Sequence, residues 1–194
     1  YAIAFDLSPG NMSLVKLHAD VAVKLAEELR IDPALQRESE AFYQLALDDF
    51  NELFNFSPDD AELYVTRAHV YESMGSHDFA LDDYNSALEI DPSVADWYVK
   101  RAAVLAGISE PNLAFADYKQ AISMRPYDSE LYFERSKLHA VQDNHVLALE
   151  DITRAIALDK RDPMYWEVRA QYYSSSNDPQ NAMTDLTTAI ELSG

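Results

Sequence analysis

The chain has 194 residues and a formal charge of −19, from 34 acids against 15 bases. It has no cysteine, which excludes disulfides, thiolate zinc sites, iron–sulfur clusters and cysteine nucleophiles. Apolar residues make up 48%, enough for a packed core, and nowhere do about 18 of them run together as a membrane span needs. The acidity repels phosphate backbones and the bases are scattered, so nucleic acid and anionic membranes are not expected as ligands. No charged-then-apolar leader opens the sequence.

The governing pattern is internal repetition. Alanine recurs every 34 residues at Ala80, Ala114, Ala148 and Ala182, and again at Ala87, Ala121, Ala155 and Ala189. Arg67, Arg101, Arg135 and Arg169 keep the same period, as do Asp83, Asp117, Asp151 and Asp185. An aromatic stands at Tyr64, Tyr98, Tyr132 and Trp166.

In chain order, residues 1–11 read as the tail of a second helix, with Tyr1, Ala4, Phe5, Leu7 and Pro9 at repeat positions 24, 27, 28, 30 and 32. Pro9 and Pro58 are 49 residues apart, 15 more than the period, so 12–60 reads as one atypical repeat with an insertion. Its helix A starts near Ser13, buries Val15, Ala19 and Ala22 and runs on through Leu25 and Leu29. Pro33 interrupts, and helix B runs from near Glu38 to Phe56; a separate short helix at 33–37 is the alternative. Four units follow at 61–94, 95–128, 129–162 and 163–194, each a helix A, a short turn, a helix B and a stop. Apolar residues at positions 4, 8, 20, 24 and 27 are spaced as one face of a helix requires. The turns are marked by Gly75-Ser76, Ser109-Glu110-Pro111, Asp143-Asn144 and Asn177-Asp178-Pro179, with Ser109 and Asp178 as N-caps ahead of the prolines. Pro92 and Pro126 close second helices. All units read as one continuous array. Gly194 falls near position 32 with no capping helix after it, so a fragment of a longer array is expected.

With these residues the chain resembles the tetratricopeptide repeat family. The unit at 61–94 carries Tyr64, Ala68, Tyr71, Ala80, Tyr84 and Pro92 in the family's register. The next carries Tyr98, Ala102, Leu105, Ala114, Tyr118 and Pro126, and the last Trp166, Ala170, Tyr173, Ala182 and Leu186. The unit at 129–162 is looser, with His139, Ile152 and Lys160 at variant positions, and arginine replaces leucine at position 7 throughout. The resemblance implies an all-α, right-handed solenoid of stacked antiparallel helix pairs.

No catalytic motif accompanies the repeats: there is no phosphate-binding glycine loop, no His-Glu-x-x-His and no nucleophile elbow. The chain is not expected to be an enzyme, and neither metal nor cofactor is expected. The histidines are read as structural, His69 apart, with His139 packed in a tyrosine register. Positions 7 and 23 lie at equal distances from the turn, so an antiparallel hairpin sets them side by side. Four structural ion pairs are expected: Arg67–Asp83, Arg101–Asp117, Arg135–Asp151 and Arg169–Asp185.

In the resembled family, helix A lines a concave face that takes peptides or partner helices. Carried onto this chain, that face holds an apolar row of Val65, Val99 and Phe133 and an acidic rail of Glu62, Asp96 and Glu130. His69, Ala103 and Lys137 stand beside them. The expected ligand is an apolar peptide or helix flanked by basic residues. The lysine–asparagine clamp for chaperone tails is not matched, because Val65 and His69 occupy its positions. The expected function is a non-catalytic protein–protein interaction module, a scaffold or adaptor. The alternatives are a recruiting arm of a larger enzyme such as a transferase, and a scaffold that self-assembles through uncapped ends. A soluble compartment is expected, the cytoplasm ahead of the periplasm.

Overall fold

The computed structural model describes residues 12–194, so the helix tail expected at 1–11 lies outside the described residues. Those residues form ten α-helices and no strand. They are α1 (Met12–Arg30), α2 (Gln36–Phe56), α3 (Ala61–Ser73), α4 (His77–Ile90), α5 (Ala95–Gly107), α6 (Pro111–Met124), α7 (Ser129–Val141), α8 (His145–Leu158), α9 (Pro163–Ser175) and α10 (Pro179–Ser193). A short 3-10 turn, Pro33–Leu35, precedes α2; Asp32 caps it, its carboxylate accepting from the Ala34 N–H at 2.9 Å.

Local chemistry sets where the helices begin. Asp60, Asp128 and Asp162 cap α3, α7 and α9, each carboxylate accepting the backbone N–H two residues on at 2.9–3.1 Å. Asp178 caps α10 through the Asn181 N–H at 3.2 Å. The expected cap at Ser109 is displaced. Glu110 stands at the cap position of α6, whereas Ser109 has φ 65 and belongs to the turn. The reason recurs in every unit. Gly75, Ser109, Asp143 and Asn177, all at repeat position 15, have φ between 58 and 73. The next residue's N–H then reaches back to a carbonyl five residues earlier, as from Ser76 to Tyr71 and from Glu110 to Leu105, both at 2.8 Å. This is the left-handed closure that satisfies the last carbonyls of helix A.

The chain divides into two compact units, one up to Trp97 and one from Tyr98. In the first, α1 packs against α2, α2 against α3 and α3 against α4. Val15, Ala19 and Ala22 are buried there with Tyr43, Phe50 and Leu53. The last core position of α1 is Ala26; Leu25 is exposed and Leu29 only half-buried, because the helix presents its small residues to α2. In the second unit, α6 packs on α7, α7 on α8, α8 on α9 and α9 on α10. The alanines at positions 20 and 27 are buried throughout, and that small size lets paired helices approach. Ser136 replaces alanine at position 8 of α7 and is fully buried; its hydroxyl donates to the Phe133 carbonyl at 2.7 Å.

Candidate protein-binding site

Each of the four arginines at position 7 meets its aspartate through two parallel hydrogen bonds. Arg67 Nε and Nη2 donate to Asp83 Oδ2 and Oδ1 at 2.8 and 2.7 Å. Arg101–Asp117, Arg135–Asp151 and Arg169–Asp185 have the same fork, at 2.7–2.9 Å. The aspartates are buried. Burial pushes the Asp83 carboxyl up, against the lowering by Arg67, while the hydrogen bond from Arg101 to Asp117 raises the Arg101 guanidinium further. Each arginine also lies over an aromatic ring: Phe54 at 4.3 Å, Tyr98 at 5.7 Å, Tyr132 at 5.8 Å and Trp166 at 5.0 Å. These arginines are occupied inside the hairpins.

Sequence reasoning missed the counterpart in the first hairpin. His18 Nδ1 stands 2.7 Å from Asp49 Oδ2, joining α1 to α2. The partners are 31 residues apart, against 16 in the other four hairpins. Asp49 stands 34 residues before Asp83, a signal present in the sequence. The histidine register was hidden by the intervening residues. The position-4 aromatics also do more than pack. Tyr64 and Tyr132 hydroxyls donate to the Pro58 and Pro126 carbonyls at 3.1 and 3.2 Å, and the Trp166 indole to Lys160 at 3.1 Å. They tie each helix A to the loop before it.

The expected contact residues fall into two groups. In the first unit, Glu62 and His69 of α3 are exposed, and His69 Nδ1 lies 3.5 Å from Glu27 of α1. Val65 is buried between them, and Asp96 is exposed in the first turn of α5. In the second unit, Val99 is half-buried and Ala103 exposed on α5. Phe133 of α7 is buried against Tyr165, with ring centroids 5.0 Å apart, and Lys137 Nζ covers it at 4.8 Å. Val65 and Phe133 therefore form core beneath the surface rather than an open apolar row, because their position in the repeat faces a neighbouring helix. Glu130 is also engaged: the Tyr165 hydroxyl donates to its Oε2 at 3.0 Å. Burial, then that hydrogen bond, pushes the Tyr165 hydroxyl up to about 12. Lys137 pairs with Glu134 at 2.6 Å, and α9 exposes Met164 and Glu167 on the equivalent turns.

His139 is packed: its ring stacks on Phe115 at 4.3 Å and its Nδ1 is buried without a protein partner. Burial holds it below the usual histidine range, partly offset by Asp151. Among the described residues no group of His, Asp and Glu could hold a metal ion, and no helix is long and apolar enough to cross a membrane. A cleft of about 240 Å³ in the first unit is lined by Arg30, Ser39, Glu40, Tyr43 and Met74.

Residues 61–94 match the tetratricopeptide repeat sequence family. No curated protein matches the chain. Among solved structures, MamA 41-end from Desulfovibrio magneticus RS-1 is similar at a TM-score of 0.75 and 18% identity, covering 96% of this chain and 97% of that one. A crystal structure of MamA is similar at 0.73 and 15%, covering 84% of this chain and 95% of that one. YrrB, described as a TPR protein with an unusual peptide-binding site, is similar at 0.66 and 19%, covering 90% and 93%. At these identities the likeness shows the fold, a solenoid of helical hairpins. Residues 61–94 are therefore a tetratricopeptide repeat, set in a chain whose fold is that of tetratricopeptide-repeat proteins.

Proposed function

We propose that the chain is a non-catalytic interaction module that takes a partner peptide or helix in the concave groove lined by its A helices. The observation that carries this reading is the layering of α7 and α9. Exposed Glu130 and Lys137 meet the buried Tyr165 and Phe133 rings, and Glu167 is exposed on α9. A single flexible lysine covers the Phe133 ring. A ligand that displaces Lys137 gains an aromatic surface flanked by carboxylates, which suits an apolar segment bordered by lysine or arginine. Glu62 and His69 with Glu27 offer an acidic-edged surface of the same kind in the first unit. The peptide-binding site named for YrrB, a protein of like fold, supports the class of ligand. We further propose that 12–60 is one repeat whose extra 15 residues fall between its His18 and Asp49 registers, in keeping with their separation.

The test is selection from a displayed peptide library with the chain as bait, followed by titration of the selected peptides. Selected sequences should carry an apolar centre with basic flanks. Glu130→Lys combined with Glu167→Lys should weaken binding about tenfold, as the loss of about 1.4 kcal/mol implies. Peptides that are acidic, or that bind the double variant equally well, would overturn the reading.

A further inference from the structure

The α1–α2 hairpin is longer than the α3–α4 hairpin, and the excess lies at one end. α1 and α2 have 19 and 21 residues, α3 and α4 have 13 and 14. α1 and α3 begin six residues before His18 and Arg67, and α2 and α4 end seven after Asp49 and Asp83. The extra turns, about 10 Å of helix, therefore all stand at the end where α1 turns into α2. There α3 stops short, at Ser73, and the cleft of about 240 Å³ opens beside it. Arg30, Gln36, Ser39 and Glu40 of the extra turns line it, with Tyr43 and Met74. Three of these side chains have bonding capacity to spare. Among the described residues, Arg30 in the last turn of α1 makes no ion pair or side-chain hydrogen bond. Glu40 accepts only from the Gln36 amide, at 3.3 Å, and Arg30 does not reach it. Tyr43 is 2% exposed, and its hydroxyl is buried without a hydrogen-bond partner. A buried hydroxyl left so is costly, and it marks a place where something else bonds.

We propose that this cleft binds a free α-amino acid as its zwitterion. Arg30 takes the carboxylate, with the Tyr43 hydroxyl as a second donor, and Glu40 takes the ammonium. An apolar side chain lies against the Tyr43 ring and Met74. Opposite charges that line one cleft without pairing leave a place between them for a ligand that carries both. A multiply charged anion would be repelled by Glu40, and a simple cation by Arg30. The volume sets the size of the ligand. It falls below the roughly 300 Å³ at which clefts for drug-sized molecules begin, so it suits one residue rather than a length of chain. A peptide C-terminus offers the carboxylate without the positive charge that Glu40 answers. None of these residues belongs to the peptide-binding surface proposed above, and the inference does not rest on that reading.

The experiment is isothermal titration calorimetry of the chain with L-leucine, L-methionine and L-phenylalanine, each free, N-acetylated and as its amide. At least one free amino acid should bind at millimolar concentration or below. Acetylation and Glu40→Gln should each weaken binding about tenfold, as the loss of one charged hydrogen bond implies. Together they should cost no more than either alone. The amide and Arg30→Gln should behave in the same way at the other end of the ligand. Arg30 and Glu40 are exposed, so both variants should keep the parent's circular dichroism and unfolding midpoint. Tyr43→Phe removes only the unpartnered hydroxyl, and it should weaken binding without lowering the midpoint. Absence of binding by all three free amino acids overturns the proposal. So does an affinity that Arg30→Gln, Glu40→Gln or Tyr43→Phe leaves unchanged. An N-acetyl form that binds as tightly as the free acid also overturns it, and makes the occupant a chain terminus.

Discussion

The arginine at position 7 carries three duties in one side chain. It closes a bidentate pair with aspartate, lies over an aromatic, and reaches the preceding helix, as Arg67 and Arg169 show. Arg67 Nη1 donates to Asn51 at 3.2 Å and Arg169 Nη1 to Thr153 at 3.3 Å. Removing one partner strands a buried charge, a loss of about 3 kcal/mol or more. For Arg101 and Asp117, a double-mutant cycle by urea unfolding should give a coupling of about 1.5–3 kcal/mol. Coupling indistinguishable from zero would reduce the fork to a surface contact. These pairs were legible in the sequence because both positions count from the same turn. The stacking on Phe54 was not, since no period links a ring in α2 to a guanidinium in α3. Likewise the burial of Val65 and Phe133 depends on the neighbouring helix, which spacing within one helix does not reveal. His139 makes a second prediction. Its folded value lies below the ordinary 6.5, so protonation favours the unfolded chain. The stability it permits is present above pH 6.5 and is lost as pH falls through the folded value. Thermal unfolding of His139→Tyr, which restores the residue of Tyr71 and Tyr173, should show a flatter acid limb below pH 6.5. An unchanged slope would place the acid sensitivity elsewhere.

At the level of the helix, the A–B turn depends on a single backbone conformation. Position 15 is left-handed in all four units, yet only Gly75 is the residue that adopts it without strain. Ser109 holds φ 65 at a cost of about 1–2 kcal/mol relative to glycine. Ser109→Gly should therefore stabilise the chain by about 1 kcal/mol, and Gly75→Ala should destabilise it by a similar amount. An added Cβ at Gly75 meets nothing within 4 Å, so the second effect would be conformational rather than steric. Equal unfolding midpoints for both variants and the parent would contradict this account. The sequence showed where the turns lie but shifted the cap by one residue at Ser109. A serine ahead of Glu-Pro fits an N-cap and a left-handed turn equally well, and the hydrogen bond from Glu110 to Leu105 selects the second.

Over the molecule as a whole, charge favours the proposed basic-flanked ligand. Arg67, Arg101, Arg135 and Arg169 are neutralised by their own aspartates, so the excess acid is carried by the surface. Salt therefore weakens the proposed capture of a basic-flanked peptide. The repeat periodicity made the helix pairs of the described residues readable, while which side chains a neighbouring helix covers, as at Val65 and Phe133, shows only in the structure. The position-4 aromatic has one more consequence. Trp166 spends its indole N–H on the Lys160 carbonyl beneath the Arg169 guanidinium, half open to water. Trp97, the other indole, is buried. The two fluorophores sit in unlike settings, one in each compact unit, so their emission colours let light report on each half of the chain separately.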